Sequence, residues 1–385
     1  MNIVLLSPYF PDNFYNFAVA LRRLGGNVLA IGADSYQQLR PELRDALTEY
    51  YRVDKLHDYD QLVRACGYFT HRYGKLDRFE SHNEHWLETD ARLRTDFNLP
   101  GPKSQELAPV KYKSKMKRVF VQAGIQVGRG IVARTPVTAR QFIEEVGYPV
   151  VAKPDNGVGA AATYKINNVE ELARFFAEKP ESDYFMEEFI SGDLYSFDGL
   201  VDQDGKIVFY TVHFFNQGIM EVVNQQLDMY YYSLREIPAD LKEAGFRTVE
   251  AFGLRERFFH IEFFRREDGL VALEINMRPP GGLTMDMFNY ANDIDLYQEW
   301  ANIVVTQRFE SPYTRPYHCA YVGRKGHLNH RLSHEEILRT YAELIVHHQD
   351  INPVLAPAIG EYGYLLRSPD VVRLQTAIAG IVALR

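Results

Sequence analysis

Along the first hundred residues the apolar positions change period several times. Ile3–Leu6 is a short continuous apolar run, the pattern of a buried strand. Phe14, Phe17, Ala18, Leu21 and Leu24 then recur at helical spacing, with Asp12 or Asn13 placed to cap and Gly25-Gly26 to stop the helix. Val28–Ile31 reads as the next strand. Tyr50–Val53 and Arg78–Ser81 read as further strands, with a helix over Tyr59–Tyr73 between them. Strands alternating with helices predict a parallel, doubly wound α/β lobe. Its first turn, "SPYFPDN", contains no glycine, so a dinucleotide-binding turn does not fit.

"LPGPKSQELAP", Leu99 to Pro109, concentrates prolines and marks a joint. Beyond it the pattern predicts a helix Tyr112–Ala123, a strand Ile131–Ala133, and a helix Ala139–Val146 behind a Thr138/Gln141 capping box. Strand Pro149–Lys153, a Gly-rich loop, strand Thr163–Ile166, helix Val169–Glu178 and strand Tyr184–Glu188 follow. From Tyr195 the pattern becomes antiparallel. Ser196–Val201 and Ile207–Phe214 flank the turn "DQDGK"; after a helix Ala239–Phe252, Phe258–Phe264 and Leu270–Ile275 flank "RREDG". "SPYTRPYH" marks a second joint before a tail of mixed α/β character.

Composition narrows the picture. The chain has 385 residues, 46% hydrophobic and 24% charged, with a net charge of −8. The length suits several packed lobes, and the negative balance argues against nucleic acid as a partner. Two cysteines, Cys66 and Cys319, exclude a disulfide framework and suit a reducing, cytoplasmic setting. The N-terminal apolar run is too short for a signal peptide, and nothing approaches the ~20 apolar residues of a membrane span.

The polar residues of the second hairpin carry the first chemical signal. Glu274, Asn276 and Arg278 alternate within "LEINMRPPGG", so they share one strand face while Ile275 and Met277 turn to the core. The turn can bring Glu262 opposite Glu274. Two carboxylates and an amide oxygen make a hard oxygen site suited to magnesium. A solvated strand face is the alternative reading. In "KPDNGVGAAAT", Lys153 ends an apolar strand, and Gly157, Gly159 and Ala160 leave room for backbone amides to approach an anion. A plain strand connection reads equally well there. "KYKSKMKR", with Lys113 and Lys115, has the look of a solvated basic helix start. The histidines of "HCAYVGRKGHLNH" and His347-His348 lack zinc-site spacing, and no nucleophile elbow is present.

The order of these pieces, with "MEEFISGDLYSFDGL" and "EINMRPPGG", resembles the ATP-grasp superfamily, and within it the carboxylate–amine ligases. The resemblance covers about Glu80 to Arg308. It implies an N-terminal α/β domain (1–102), a small lid subdomain (103–185), an α+β catalytic subdomain with mixed and antiparallel sheets (186–310) and a C-terminal α/β extension (311–385). By the same resemblance Lys113 and Lys153 contact ATP phosphates, with Gly157, Gly159 and Ala160 in the loop over them. Glu187, Glu188, Phe189 and Ile190 border the adenine. Glu262, Glu274 and Asn276 hold magnesium. Arg278 stabilises the transferred phosphoryl group and touches substrate, Lys153 assists catalysis, and His260 is a further catalytic candidate. Where the family often has a ribose-binding Glu this chain has Leu194, with Asp193 and Ser196 as candidates to replace it. Glu221, in the polar and aromatic stretch Phe214 to Tyr232, is a candidate for an ammonium group; a structural loop of packed tyrosines reads equally well.

The activity implied is ADP-forming ligation of a small-molecule carboxylate to an amine, using ATP and magnesium, or manganese in its place. The expected protein is cytoplasmic, binds neither nucleic acid nor membrane, and is a candidate homodimer. A carboxylase component, a kinase and a non-catalytic nucleotide-binding module remain as alternatives.

Overall fold

The computed structural model describes residues 1–157 and 162–385. Three sheets organise it. The first contains β1 (Asn2–Leu6), β2 (Asn27–Gly32), β3 (Glu49–Arg52) and β4 (Arg78–Glu80), all parallel in the order β3-β2-β1-β4. Its apolar runs are covered on both faces: Ile3, Leu5 and Val28 pack with Phe17 and Leu21, whereas Val4, Leu6 and Leu29 pack with Leu62 and Phe69. This is the parallel α/β lobe expected from the alternating pattern.

The second sheet is antiparallel. It contains β5 (Gly130–Val132), β6 (Val150–Pro154), β7 (Tyr164–Ile166) and β8 (Tyr184–Glu188), in the order β5-β8-β6-β7. Helices Pro136–Val146 and Val169–Glu178 cover one face through Phe142, Ile143, Leu172 and Phe175. The first of these helices starts three residues before the predicted Ala139. Thr135 is the cap, its hydroxyl accepting the Thr138 N–H at 3.2 Å, and Pro136 occupies the first helical position, where its missing N–H costs nothing.

The third sheet has eight strands: β9 (Asp193–Val201), β10 (Ile207–Phe215), β11 (Met229–Ser233), β12 (Arg257–Arg266), β13 (Gly269–Asn276), β14 (His318–Arg324), β15 (Ile345–Asp350) and β16 (Tyr362–Ser368). Their order is β13-β12-β9-β10-β11-β14-β16-β15. The stretch Phe214 to Tyr232 is not a loop of packed tyrosines throughout. It holds a short helix, Ile219–Gln225, and most of β11, whose Tyr231 and Tyr232 are buried. β11 joins β10 to β14, so the C-terminal strands continue the sheet that carries the second hairpin.

The lobes are held together by side chains. Phe17 of the N-terminal helix Tyr15–Arg23 meets Phe258, Tyr297 and Trp300 edge-on. That helix has no side-chain cap. Asn13, expected as a cap, instead donates to Asp286 (2.5 Å) and to the Gly282 carbonyl (3.1 Å), tying the first turn to the end of "RPPGG". No helix among the described residues is long and apolar enough to cross a membrane.

Candidate active site

On β6 and β8, Val151 stands opposite Glu187, so Val151, Lys153 and Glu187 share a face of the second sheet. Lys153 Nζ pairs with Glu187 Oε1, and Lys117 Nζ lies 3.0 Å from Glu187 Oε2. Burial raises the cost of ionising Glu187, but Lys117 and Lys153 outweigh it and hold its pKa at about 2. Burial also opposes the charge on Lys153, and there Glu187, Glu274 and Glu262 prevail and raise its pKa. For Lys113 and Lys117 burial prevails, and their pKa values fall.

Lys113 and Lys117 are one turn apart on the helix Lys113–Gln122. The run read as a solvated basic start is therefore two-faced: Lys115 is exposed over the Tyr112 ring, whereas Lys113 and Lys117 are buried. Asp155 anchors the helix start, accepting from Ser114 N and Oγ, each at 2.8 Å. Lys113 Nζ donates to the Gly157 carbonyl at 3.2 Å. Gly159 and Ala160 lie outside the described residues.

The hairpin β12–β13 places Glu262 directly opposite Glu274, and His260 opposite Asn276. A one-residue bulge at Leu273 breaks the alternation, so that Leu273 and Glu274 both face the same cavity. Asn276 Nδ2 donates to Glu274 Oε1 at 3.2 Å. Among the described residues no cluster of three His, Cys, Asp or Glu side chains is arranged for a metal. Glu262, Glu274 and the Asn276 amide nevertheless offer three oxygen donors on one sheet face. Burial opposes the Glu274 charge, yet Lys113 and Lys153 lower its pKa, so its carboxylate is anionic. That donor set fits a magnesium ion.

His260 is held more firmly than sequence suggests. Asp198 on β9, opposite it, accepts at 2.5 Å from Nδ1, and Nε2 lies 3.2 Å from Glu262 Oε1. Burial disfavours the imidazolium, but Asp198 and Glu262 raise its pKa to about 10. Asp198 also contacts His213 Nδ1 (2.8 Å) and the Ser196 hydroxyl (2.5 Å). Ser196, Asp198 and His213 are fully buried. Sequence reasoning missed Asp198, His213 and Lys117. The only signal was the alternation of Ser196 and Asp198 inside an apolar strand.

These groups surround a cavity of about 140 Å³. Lys113, Lys153, Glu187, Glu262 and Glu274 form its polar side, and Val151, Leu194, Phe264 and Leu273 its apolar side. Glu188, Phe189 and Ile190 border it. The Glu188 carboxylate accepts from Arg129 Nη2 at 2.7 Å, and Lys165 Nζ sits 3.8 Å from the Phe189 ring centre. Asp193 is exposed and does not line the cavity; Leu194 does. Ser196 is turned inward to Asp198, so it does not line the cavity either. Glu221 lines this cavity, whereas Arg278 faces a second, larger cleft of about 1060 Å³ between the N-terminal lobe and the C-terminal strands.

Residues 146–286 match the ATP-grasp domain family. The L-arginine-specific L-amino acid ligase of Bacillus subtilis is 24% identical over 250 residues, 61% of this chain and 59% of that protein. The chain thus spans about three fifths of the length of the curated relatives it matches first. Among solved structures, the L-amino acid ligase of Bacillus licheniformis superposes with a TM-score of 0.75 at 15% identity, covering 100% of this chain and 99% of that one. N5-carboxyaminoimidazole synthetase of Staphylococcus aureus, complexed with ADP, superposes with a TM-score of 0.74 at 16% identity, covering 98% and 96%. Over residues 146–286 the chain matches the ATP-grasp domain family, and along its length it shares the fold of these two structures.

Proposed function

We propose that this chain is an ADP-forming ligase that activates a small-molecule carboxylate as an acyl phosphate and joins it to an amine. The observation carrying this reading is the pairing of Glu262 with Glu274 beneath Lys113 and Lys153, with Arg278 two residues beyond the end of β13 and facing a separate cleft. Nucleotide phosphates suit the inner cavity, and the acid and amine suit the cleft. The inner cavity, at about 140 Å³, is smaller than the ~300–1,000 Å³ of a typical ligand pocket. Entry of ATP therefore requires the lid, segment 103–185, to swing away and reclose.

A carboxylate oxygen of the acid attacks the γ-phosphorus. The bond to the β,γ-bridging oxygen breaks and ADP leaves. The amine then attacks the acyl carbon, releases phosphate and loses a proton. Lys113, Lys153 and Arg278 stabilise the charge that builds on phosphoryl oxygens. Glu262, Glu274 and Asn276 would hold magnesium, which would neutralise phosphate charge and align the nucleotide; manganese is expected to substitute. His260, fixed by Asp198, orients Glu262. Lid closure keeps water from the acyl phosphate. The names of the two L-amino acid ligases support amino acids as the substrate class.

The test is hydroxylamine trapping. With MgATP and an acid that is turned over, hydroxylamine should replace the amine and give a hydroxamate in step with ADP. AMP and pyrophosphate as products would refute acyl-phosphate chemistry. ADP without hydroxamate would point to a kinase or an uncoupled ATPase.

A further inference from the structure

Carboxylates outnumber lysines five to two among the described residues that line the inner cavity. That balance repels phosphates unless most of the carboxylates are offset by other cations. Glu262 and Glu274 are the proposed magnesium ligands, and Glu188 accepts from Arg129 Nη2 at 2.7 Å. Glu221 enters from a different element, the helix Ile219–Gln225. Glu187 is left beside a lysine that the phosphates need. It shares a sheet face with Lys153 and pairs with Lys153 Nζ through Oε1. Left alone, it would cancel the Lys153 charge and repel a phosphate itself.

Lys117 meets Glu187 from the other side. Its Nζ lies 3.0 Å from Glu187 Oε2 and donates to the Ala272 carbonyl of β13 at 3.1 Å. It is buried and, unlike Lys113 one turn earlier on the same helix, does not line the cavity. Burying an ammonium is costly, and a buried ion pair adds little stability over apolar residues of similar volume. The charge of Lys117 therefore calls for a use other than holding elements together.

We propose that Lys117 is a positioning residue for phosphate binding: it neutralises Glu187 from outside the cavity and so leaves the Lys153 charge for the nucleotide. The proposal rests on the nucleotide reading of the inner cavity given above. Lys117 acts through Glu187 and does not itself touch the nucleotide. The two oxygens of Glu187 divide the work, Oε2 on Lys117 and Oε1 on Lys153. Glu187 thereby holds the Lys153 side chain in place, while Lys117 supplies the balancing charge. The Ala272 carbonyl fixes the Lys117 ammonium against β13, the strand that carries Glu274.

Calorimetry with ADP and with adenosine, in the same magnesium buffer, tests this. Wild type should bind ADP more tightly than adenosine, by the contribution of the phosphates. Lys117→Gln keeps an amide donor and removes the charge. It should cut the ADP-to-adenosine affinity ratio by about tenfold or more, the scale of a contact to a charged group, and leave adenosine affinity unchanged. Lys117→Gln/Glu187→Gln should recover most of the ratio, because no carboxylate is then left to cancel Lys153. A ratio unchanged in Lys117→Gln overturns the proposal. So does a loss that persists in the double variant, which would make Lys117 a strut. Should Lys117→Gln not fold, Glu187→Gln decides: it should bind ADP at least as tightly as wild type, and weaker binding overturns the proposal. Equal affinity of wild type for ADP and adenosine would remove the nucleotide reading, and the proposal with it.

Discussion

Two buried charge clusters in this protein look alike by composition and differ in what they face. One joins the N-terminal lobe to the large sheet. Glu80 accepts from Arg94 at 2.9 Å and Arg257 at 3.3 Å, and Arg257 also donates to the Met277 carbonyl at 3.1 Å. The other joins the four-stranded antiparallel sheet to the same large sheet through Lys113, Lys117, Lys153, Glu187, Glu262 and Glu274. The first cluster is packed in: Arg94 and Asp90 are each 1% exposed and line none of the main cavities among the described residues, and Arg257 only borders a cleft at the back of the large sheet. In the second, Lys113, Lys153, Glu187, Glu262 and Glu274 all border the inner cavity. A charged cluster closed on itself holds lobes together, whereas one bordering a cavity is built for something that enters.

The comparison predicts opposite phenotypes. The largest effect belongs to the open cluster. Glu274→Ala and Lys153→Ala should each cut substrate-dependent ADP release by ~100-fold or more, the scale of removing one electrostatic stabiliser, with little loss in thermal midpoint. Loss of folding with activity intact per folded molecule would place Glu274 in the structural class. Arg278→Ala should preserve nucleotide binding and lose turnover, because its contact strengthens as charge develops. Calorimetry with ADP and steady-state kinetics on the same sample separate the two.

The packed cluster should show the reverse. Arg94→Met strands Glu80 and Asp90, and breaking a buried pair costs ~3–5 kcal/mol, readable in urea denaturation. Nucleotide affinity of the folded fraction should be unchanged. A pH series sharpens the point. Burial opposes the Glu80 charge, but Arg94 and Arg257 lower its pKa from 4.5 to about 2. A depressed carboxyl pKa stabilises the fold fully above pH 4.5, and that contribution disappears as pH falls through 2. The gap in stability between wild type and Glu80→Gln should therefore narrow on acidification from pH 6 to pH 3. A gap constant over that range would show that Glu80 acts by packing. The smallest effect is local: Thr135→Ala should cost about 1 kcal/mol through loss of the cap of helix Pro136–Val146 and leave both clusters intact.

Local pattern alone placed most elements. The helices Tyr59–Tyr73 and Val169–Glu178 and the strand Tyr184–Glu188 run between the residues where periodicity put them, because one apolar face and a clear stop signal define each. The departures came where a tertiary partner competes for the same side chain. Asn13 has the chemistry of a cap, but Asp286 and Gly282, distant in sequence, take its amide. The stretch Phe214 to Tyr232 lacked a turn signal strong enough to reveal β11, which exists because β10 and β14 pair with it on either side.

Of the site, sequence determined the pieces that recur at fixed short spacing: Glu274-x-Asn276-x-Arg278, Glu262 one hairpin turn away, and Lys153 at the end of an apolar strand. A strand's period of two puts Glu274 and Asn276 on one face before any partner is known, but the strand ends at Asn276, and Arg278 beyond it turns to the outer cleft. Only the tertiary structure decided that Lys117 pairs with Glu187 across elements, that Asp198 fixes His260 from the neighbouring strand, and that Glu84 meets Arg278 across two lobes. These contacts join residues separated by tens to hundreds of positions. Their geometry depends on strand register and on how sheets dock, which no local spacing encodes.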